Sequence, residues 1–208
     1  GSDSLTFFLQ KRGQGKLITI DSAVSKNGSF KMTGEIEYPE MVQLVVLNTP
    51  IRTSFYLENS EITITGKLDS IGDAKITGSK THDEYIAFRN SSKPMNDKYS
   101  ELVKEYQAAR AANDVAKIEQ LEKDAEVISK EMTDIQKDFV KNNPASYLTP
   151  SLLQGLSYEM EADEIETAIN ALDTNVAKVP LMQDLKKRIT AMKTVAVGQK
   201  APDFTLND

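Results

Sequence analysis

The hydrophobic period of this chain changes once, near residue 80, and that change limits the folds open to it. Between residues 5 and 78 apolar side chains alternate with polar ones. Phe30 and Met32 face away from Ser29, Lys31 and Thr33, and Ile62 and Ile64 alternate with Glu61, Thr63 and Thr65. Val42, Leu44 and Val46 share one face of a more fully apolar run. A period of two belongs to strands. Turn chemistry separates the runs at Gly13-Gln14-Gly15, Asn27-Gly28, Tyr38-Pro39, Thr49-Pro50, Asn59-Ser60 and from Asp69 to Asp73. Asn27-Gly28 is a strong hairpin signal, because both residues tolerate positive φ. Turns spaced by about ten residues predict about seven short antiparallel strands, as in a small sandwich or open barrel. Gly28, Gly34, Gly66 and Gly78 stand at the ends of apolar runs, where positive φ is useful. Phe30, Phe55 and Leu57 are core candidates.

Beyond residue 80 the period is helical. Thr81 followed by Glu84 has the form of a capping box. Ile118, Leu121, Ala125, Ile128, Met132, Ile135 and Phe139 recur at spacings of three and four, an a/d stripe within a strongly charged helix. Leu102, Tyr106 and Ala109 repeat the spacing upstream, and Asn113-Asp114 between them reads as a turn and N-cap. An antiparallel helical hairpin is the simplest way to bury both stripes, and a dimer seam through 118–139 is the sharper alternative. Thr149-Pro150 predicts a further helix, with Thr as cap and Pro at its first position. Ile165, Ile169 and Leu172 define another, and Pro180 opens a last one carrying Leu181, Leu185 and Ile189. The expected class is therefore α+β: an antiparallel β-sandwich or open barrel over 3–80, then a helical region with a hairpin over 81–195.

Composition removes several functions. The 208 residues hold 25 Lys and Arg against 31 Asp and Glu, a net charge of −6, which argues against nucleic acid as a partner. No apolar run approaches the roughly 20 residues of a spanning helix. There is no cysteine, so disulfides, thiolate metal sites and cysteine nucleophiles are excluded from this chain. Glu35 with Glu37, and the cluster Glu159, Glu161, Asp163, Glu164 and Glu166, supply paired carboxylates such as a glycosidase uses. The first pair flanks Ile36 on a strand edge, and the cluster opens a helix, where acids favour the positive end. Both read as solvated structural acids. His82, the lone histidine, reads as a surface or capping residue. Without a second His or any Cys, a zinc site would need carboxylates alone. No Gly-x-Ser-x-Gly elbow is present. Gly13-Gln14-Gly15-Lys16 lacks the spacing of a phosphate loop, and Leu17 stands where Ser or Thr would hold magnesium. Asn27-Gly28-Ser29 and Asn90-Ser91-Ser92 match the glycosylation triplet. No catalytic, cofactor-binding or metal-ligating residue is assigned, and no cofactor is expected. Tyr38, Tyr56, Phe7 and Phe8 are candidate contacts for an extended peptide or a glycan.

The two ends carry a resemblance. Gly198, Ala201, Pro202, Phe204 and Leu206 form a phrase that resembles the opening of thioredoxin-like domains of the TlpA/ResA and AhpC/TSA group. Upstream, Asp21-Ser22-Ala23-Val24 through Asn27-Gly28-Ser29-Phe30, then Thr33-Gly34-Glu35-Ile36, Phe55-Tyr56-Leu57-Glu58-Asn59, Ile62-Thr63-Ile64-Thr65-Gly66 and Ile76-Thr77-Gly78-Ser79 resemble the domain of unknown function that Bacteroidetes place ahead of such domains. Asn143-Pro144-Ala145-Ser146-Tyr147 is similar to a segment of the helical linker in the same proteins. The resemblance implies that 196–208 is the start of a thioredoxin-like domain whose paired cysteines lie further on. It implies an accessory module of a cell-envelope thiol–disulfide oxidoreductase or peroxidase, positioning or dimerising the redox domain or recognising its client. It also implies export to the periplasm and often a lipid anchor, and Gly1-Ser2 has the form of a scar left where a native N-terminus was trimmed. The alternative is a peptide- or glycan-binding module of the periplasm.

Overall fold

The structure is a computed structural model that describes residues 3–13 and 15–194. The chain is α+β and divides into two compact units, residues 1–86 and 87–208. The thioredoxin-like phrase at 196–208 lies outside the described residues.

The first unit is built on an antiparallel sheet of β1 (Thr6–Gly13), β2 (Lys16–Val24), β3 (Glu40–Val46) and β4 (Arg52–Leu57), in the order β2-β1-β3-β4. Register follows the hydrophobic alternation. Phe7 lies opposite Val46, Leu9 opposite Leu44, and Val42 opposite Phe55, so one face gathers all six apolar side chains into a buried cluster. A one-residue slip would turn that whole set to water. The face is covered by a two-stranded ladder, β5 (Thr63–Thr65) with β6 (Lys75–Thr77), whose paired Ile64 and Ile76 pack on the cluster together with Ile62. Of the expected core residues, Phe55 is buried, while Phe30 and Leu57 are partly buried against it.

Six strands are found among the described residues, against about seven expected from turn spacing. The difference falls at Phe30–Met32, which alternates like a strand but joins no ladder. Phe30 instead stacks on Phe7, with centroids 4.1 Å apart, and the following stretch is fixed by a side chain. Asn59 imitates a neighbouring strand: its Oδ1 accepts the Ile36 amide at 2.9 Å and its Nδ2 donates to the Ile36 carbonyl at 2.7 Å.

The expected hairpin at Asn27-Gly28 is present, with φ of 53° and 71° and a bridge between Lys26 and Ser29. Gly13 pairs with Lys16 and Gly15 has φ 78°, so that glycine pair turns β1 into β2. Gly78 has φ 93°, and a Cβ there would stand 2.0 Å from the Glu61 carbonyl oxygen. Gly34 and Gly66 do not have positive φ, contrary to expectation. At Gly66 the constraint is close approach, since a Cβ would meet that of Ala74 at 3.0 Å.

The helices are α1 (Lys80–Ala112), α2 (Val115–Asn142), α3 (Thr149–Leu156), α4 (Ala162–Asn170) and α5 (Pro180–Thr194). In the second unit, α1 from residue 87 and α2 form the expected antiparallel hairpin. Asn113 turns the chain at φ 54°, and Asp114 caps α2 by accepting the Lys117 amide at 3.0 Å. Phe88 meets Phe139 edge-on, Tyr106 donates to Glu122, and Lys117 pairs with Glu105. Only Leu121 and Val140 of α2 are buried. Ile118, Ala125, Ile128, Met132 and Ile135 stay half-buried, because one facing helix covers less of a stripe than a bundle does.

The remaining helices make a second core from Leu153, Leu156, Ile165, Ile169, Met182, Leu185 and Ile189. On α5 Met182 is buried where Leu181 was expected to be, and Leu181 is half-buried. The cap of α3 is Leu148, not Thr149. Thr149 is fully buried inside the helix, and its hydroxyl donates to the Asn143 carbonyl at 2.8 Å. That bond fixes the chain reversal after α2, where Pro144 cannot supply an amide.

Candidate functional site

The surface of the first unit that most invites a partner is the free edge of its sheet. Among the described residues β2 pairs with β1 alone. It runs for nine residues without proline, and it exposes Leu17 at 51%, Ile18 at 45%, Ile20 at 38% and Val24 at 61%. Thr19, between them, adds no charge. Native sheets blunt such edges with charge, proline, bulges or covering loops. Here the pairing with β1 shifts register between Leu9 and Gln10, and Asp21 accepts the Ser22 amide at 2.7 Å. Lys16 to Ile20 is left with one terminal charge. Chemically this segment offers a row of backbone donors and acceptors beside apolar side chains, the combination that recruits an added strand. The opposite edge, β4, contacts the 3-10 turn Leu68–Asp73.

Sequence reasoning did not single out β2. Leu17, Ile18 and Ile20 place apolar groups on both faces, a pattern that reads as a doubly buried strand. Only the sheet order puts it at the rim. Of the four aromatic contacts expected, Phe7 and Tyr56 are buried: Phe7 belongs to the apolar cluster under the sheet, and Tyr56, on the edge strand β4, lies with its ring 5.7 Å from that of Tyr85. Phe8 and Tyr38 are half-buried.

The junction of β4 with the start of α1 holds a polar cluster centred on Glu58. Glu58 Oε1 accepts the Lys80 amide at 2.7 Å, while Oε2 accepts the Thr81 amide at 3.1 Å and the Thr81 hydroxyl at 2.7 Å. Partial burial would raise the Glu58 pKa. The hydrogen bonds from Thr81, Lys80 and Ser79 outweigh it and hold the carboxyl below the usual range. Ser79 supplies the cap: its Oγ accepts the His82 amide at 3.0 Å and its carbonyl the Asp83 amide. The Thr81–Glu84 capping box is therefore not formed. Thr81 faces Glu58, and Glu84 pairs with Lys80. His82 is 5% exposed, not a surface residue, with its ring 5.9 Å from that of Tyr85. The cap begins two residues earlier than expected, which turns the third helical position inward.

The acidic cluster at 159–166 serves structure, while the first pair faces water. Glu35 and Glu37 are exposed. Glu161 and Glu164 form the capping box of α4, Asp163 and Glu166 both pair with Lys193, and Glu159 accepts the Thr133 hydroxyl. Those two carboxylates raise the Lys193 pKa. Among the described residues no group of three or more His, Asp or Glu is placed to hold a metal ion, and no helix is long and apolar enough to cross a membrane. The triplet at Asn27 lies on the exposed hairpin turn, and that at Asn90 lies within α1.

Residues 1–85 match the model of a family described as a domain of unknown function, DUF4369. No curated protein and no solved structure matches the chain.

Proposed function

We propose that this chain is the non-catalytic accessory module of a cell-envelope thioredoxin-like thiol–disulfide oxidoreductase, and that it works by holding polypeptide. A cysteine-free chain cannot carry the mixed-disulfide step, which needs a thiolate. In this reading the thiols belong to a redox domain that follows the phrase at 198–206. The match of residues 1–85 to a domain of unknown function is compatible with the reading and assigns no activity.

The single observation that carries it is the β2 edge. A client of an oxidoreductase presents extended, apolar segments while its disulfides are unmade. Leu17, Ile18 and Ile20 beside an open ladder are suited to such a segment, with main-chain bonds giving affinity and side chains giving selection.

The test compares this chain with the longer native one in reduction of insulin. The longer chain reduces it and this chain does not; equal activity overturns the reading. Ile18→Lys in the longer chain then slows reduction of an unfolded protein while leaving reduction of a small aromatic disulfide unchanged. A free-standing peptide-binding module would use the same edge. It is favoured instead if this chain saturably binds extended peptides and the longer one lacks reductase activity.

A further inference from the structure

We propose that the second unit holds a binding site for a soluble medium-chain carboxylate, independent of the redox reading above. A half-open cavity of about 330 Å³ lies where the end of α2 meets α4. That is within the range of small-molecule sites, roughly 300 to 1,000 Å³. Its walls are apolar: Val140, Leu156, Met160, Ala168 and Leu172. Ala168 of α4 is among the lining residues, and a larger side chain there would occupy part of the space. Pro144 lines the same bend and leaves no amide there to satisfy.

The polar groups of the site decide its ligand. Lys137 and Lys141 stand one turn apart on α2, and both line the cavity. Neither has an ion-pair partner among the described residues. Two ammonium groups at this spacing repel each other, in a chain whose net charge is −6. Lys141 also lies in the last turn of α2, where the helix dipole favours a cation; Lys137 lies a turn earlier and has no such reason. Glu164 and Thr167 also line the cavity, and both are engaged within α4: the Glu164 carboxylate accepts the Glu161 amide at 3.2 Å, and the Thr167 hydroxyl donates to the Asp163 carbonyl at 2.8 Å. Two ammonium groups without an ion pair thus face one carboxylate already used in a cap, which leaves the margin of the apolar hollow net cationic. An anionic head on an aliphatic body satisfies both.

Calorimetric titration of the whole chain with decanoate, below its micellar concentration, tests this. Saturable one-site binding is expected, with decanol at least tenfold weaker. Lys137→Gln with Lys141→Gln weakens decanoate at least tenfold and leaves decanol unchanged. Ala168→Leu, which fills the hollow, abolishes binding of both. Because that variant could disturb α4, its helicity is checked by circular dichroism, and the lysine pair carries the test if it is altered. No decanoate binding, equal binding of decanol, or unchanged binding by the lysine variant overturns the proposal.

Discussion

Removing the Glu58 carboxylate should loosen the start of α1 in a way that pH can switch. The first turn of a helix has amides without intrahelical partners. Glu58 takes those of Lys80 and Thr81 and adds the Thr81 hydroxyl. A hydrogen bond to a charged group contributes roughly 1.5–3 kcal/mol when desolvated. This carboxylate is only partly buried, so water screens it, and loss of a cap, roughly 0.5–2 kcal/mol, is the nearer guide. Glu58→Ala should cost about 2 kcal/mol at neutral pH, and Glu58→Gln about half that, since its amide keeps one acceptor oxygen. The folded pKa lies below the unfolded one. The unfolded chain therefore binds more protons between the two values, and stability from this group is complete above the ordinary carboxylate range. It is lost as pH falls through the folded value. The gap between the native chain and Glu58→Gln should accordingly close in acid. Urea unfolding followed by circular dichroism at several pH values measures the gap, and amide exchange at Lys80 and Thr81 reports it locally. A Glu58→Ala variant as stable as the native chain at neutral pH, or a gap to Glu58→Gln that widens in acid, refutes the reasoning.

Phe55→Ala should cost roughly 3–5 kcal/mol in the same assay, since the ring is buried in the apolar cluster of the sheet. Ser92→Ala should stabilise the chain by roughly 1 kcal/mol: the Ser92 Oγ is buried in α1 without a hydrogen-bond partner, and alanine removes it while improving helix propensity. Gly78→Ala should destabilise by more than a surface substitution's usual 0.5 kcal/mol, roughly 2 kcal/mol or above, because both its φ and the Glu61 carbonyl forbid a Cβ. A dimer seam through 118–139, the sharper alternative offered by the sequence, would use the half-buried stripe of α2. Light scattering should show the 23.1 kDa mass rising toward double with concentration; a strict monomer at high concentration removes that seam.

Much of the architecture was readable from local pattern. The switch of period at residue 80, the Asn27-Gly28 turn, the Asp114 cap and the helix opening at Pro180 all depend on residues within a few positions of one another. Steric preference for positive φ, a carboxylate reaching an amide three residues on, and the fixed φ of proline act at that range. What sequence could not supply was partner identity across distance. Glu58 reaches an amide 22 residues away, so Ser79 rather than Thr81 caps α1, and His82 turns inward as a consequence. Phe30 has strand-like neighbours, yet its stack on Phe7 replaces a ladder. Leu17, Ile18 and Ile20 look like an interior strand, and only the order β2-β1-β3-β4 leaves them at the rim. Hydrophobic period says that a side chain seeks cover; which surface arrives to cover it, and whether any does, is decided by the packing of segments that are remote along the chain.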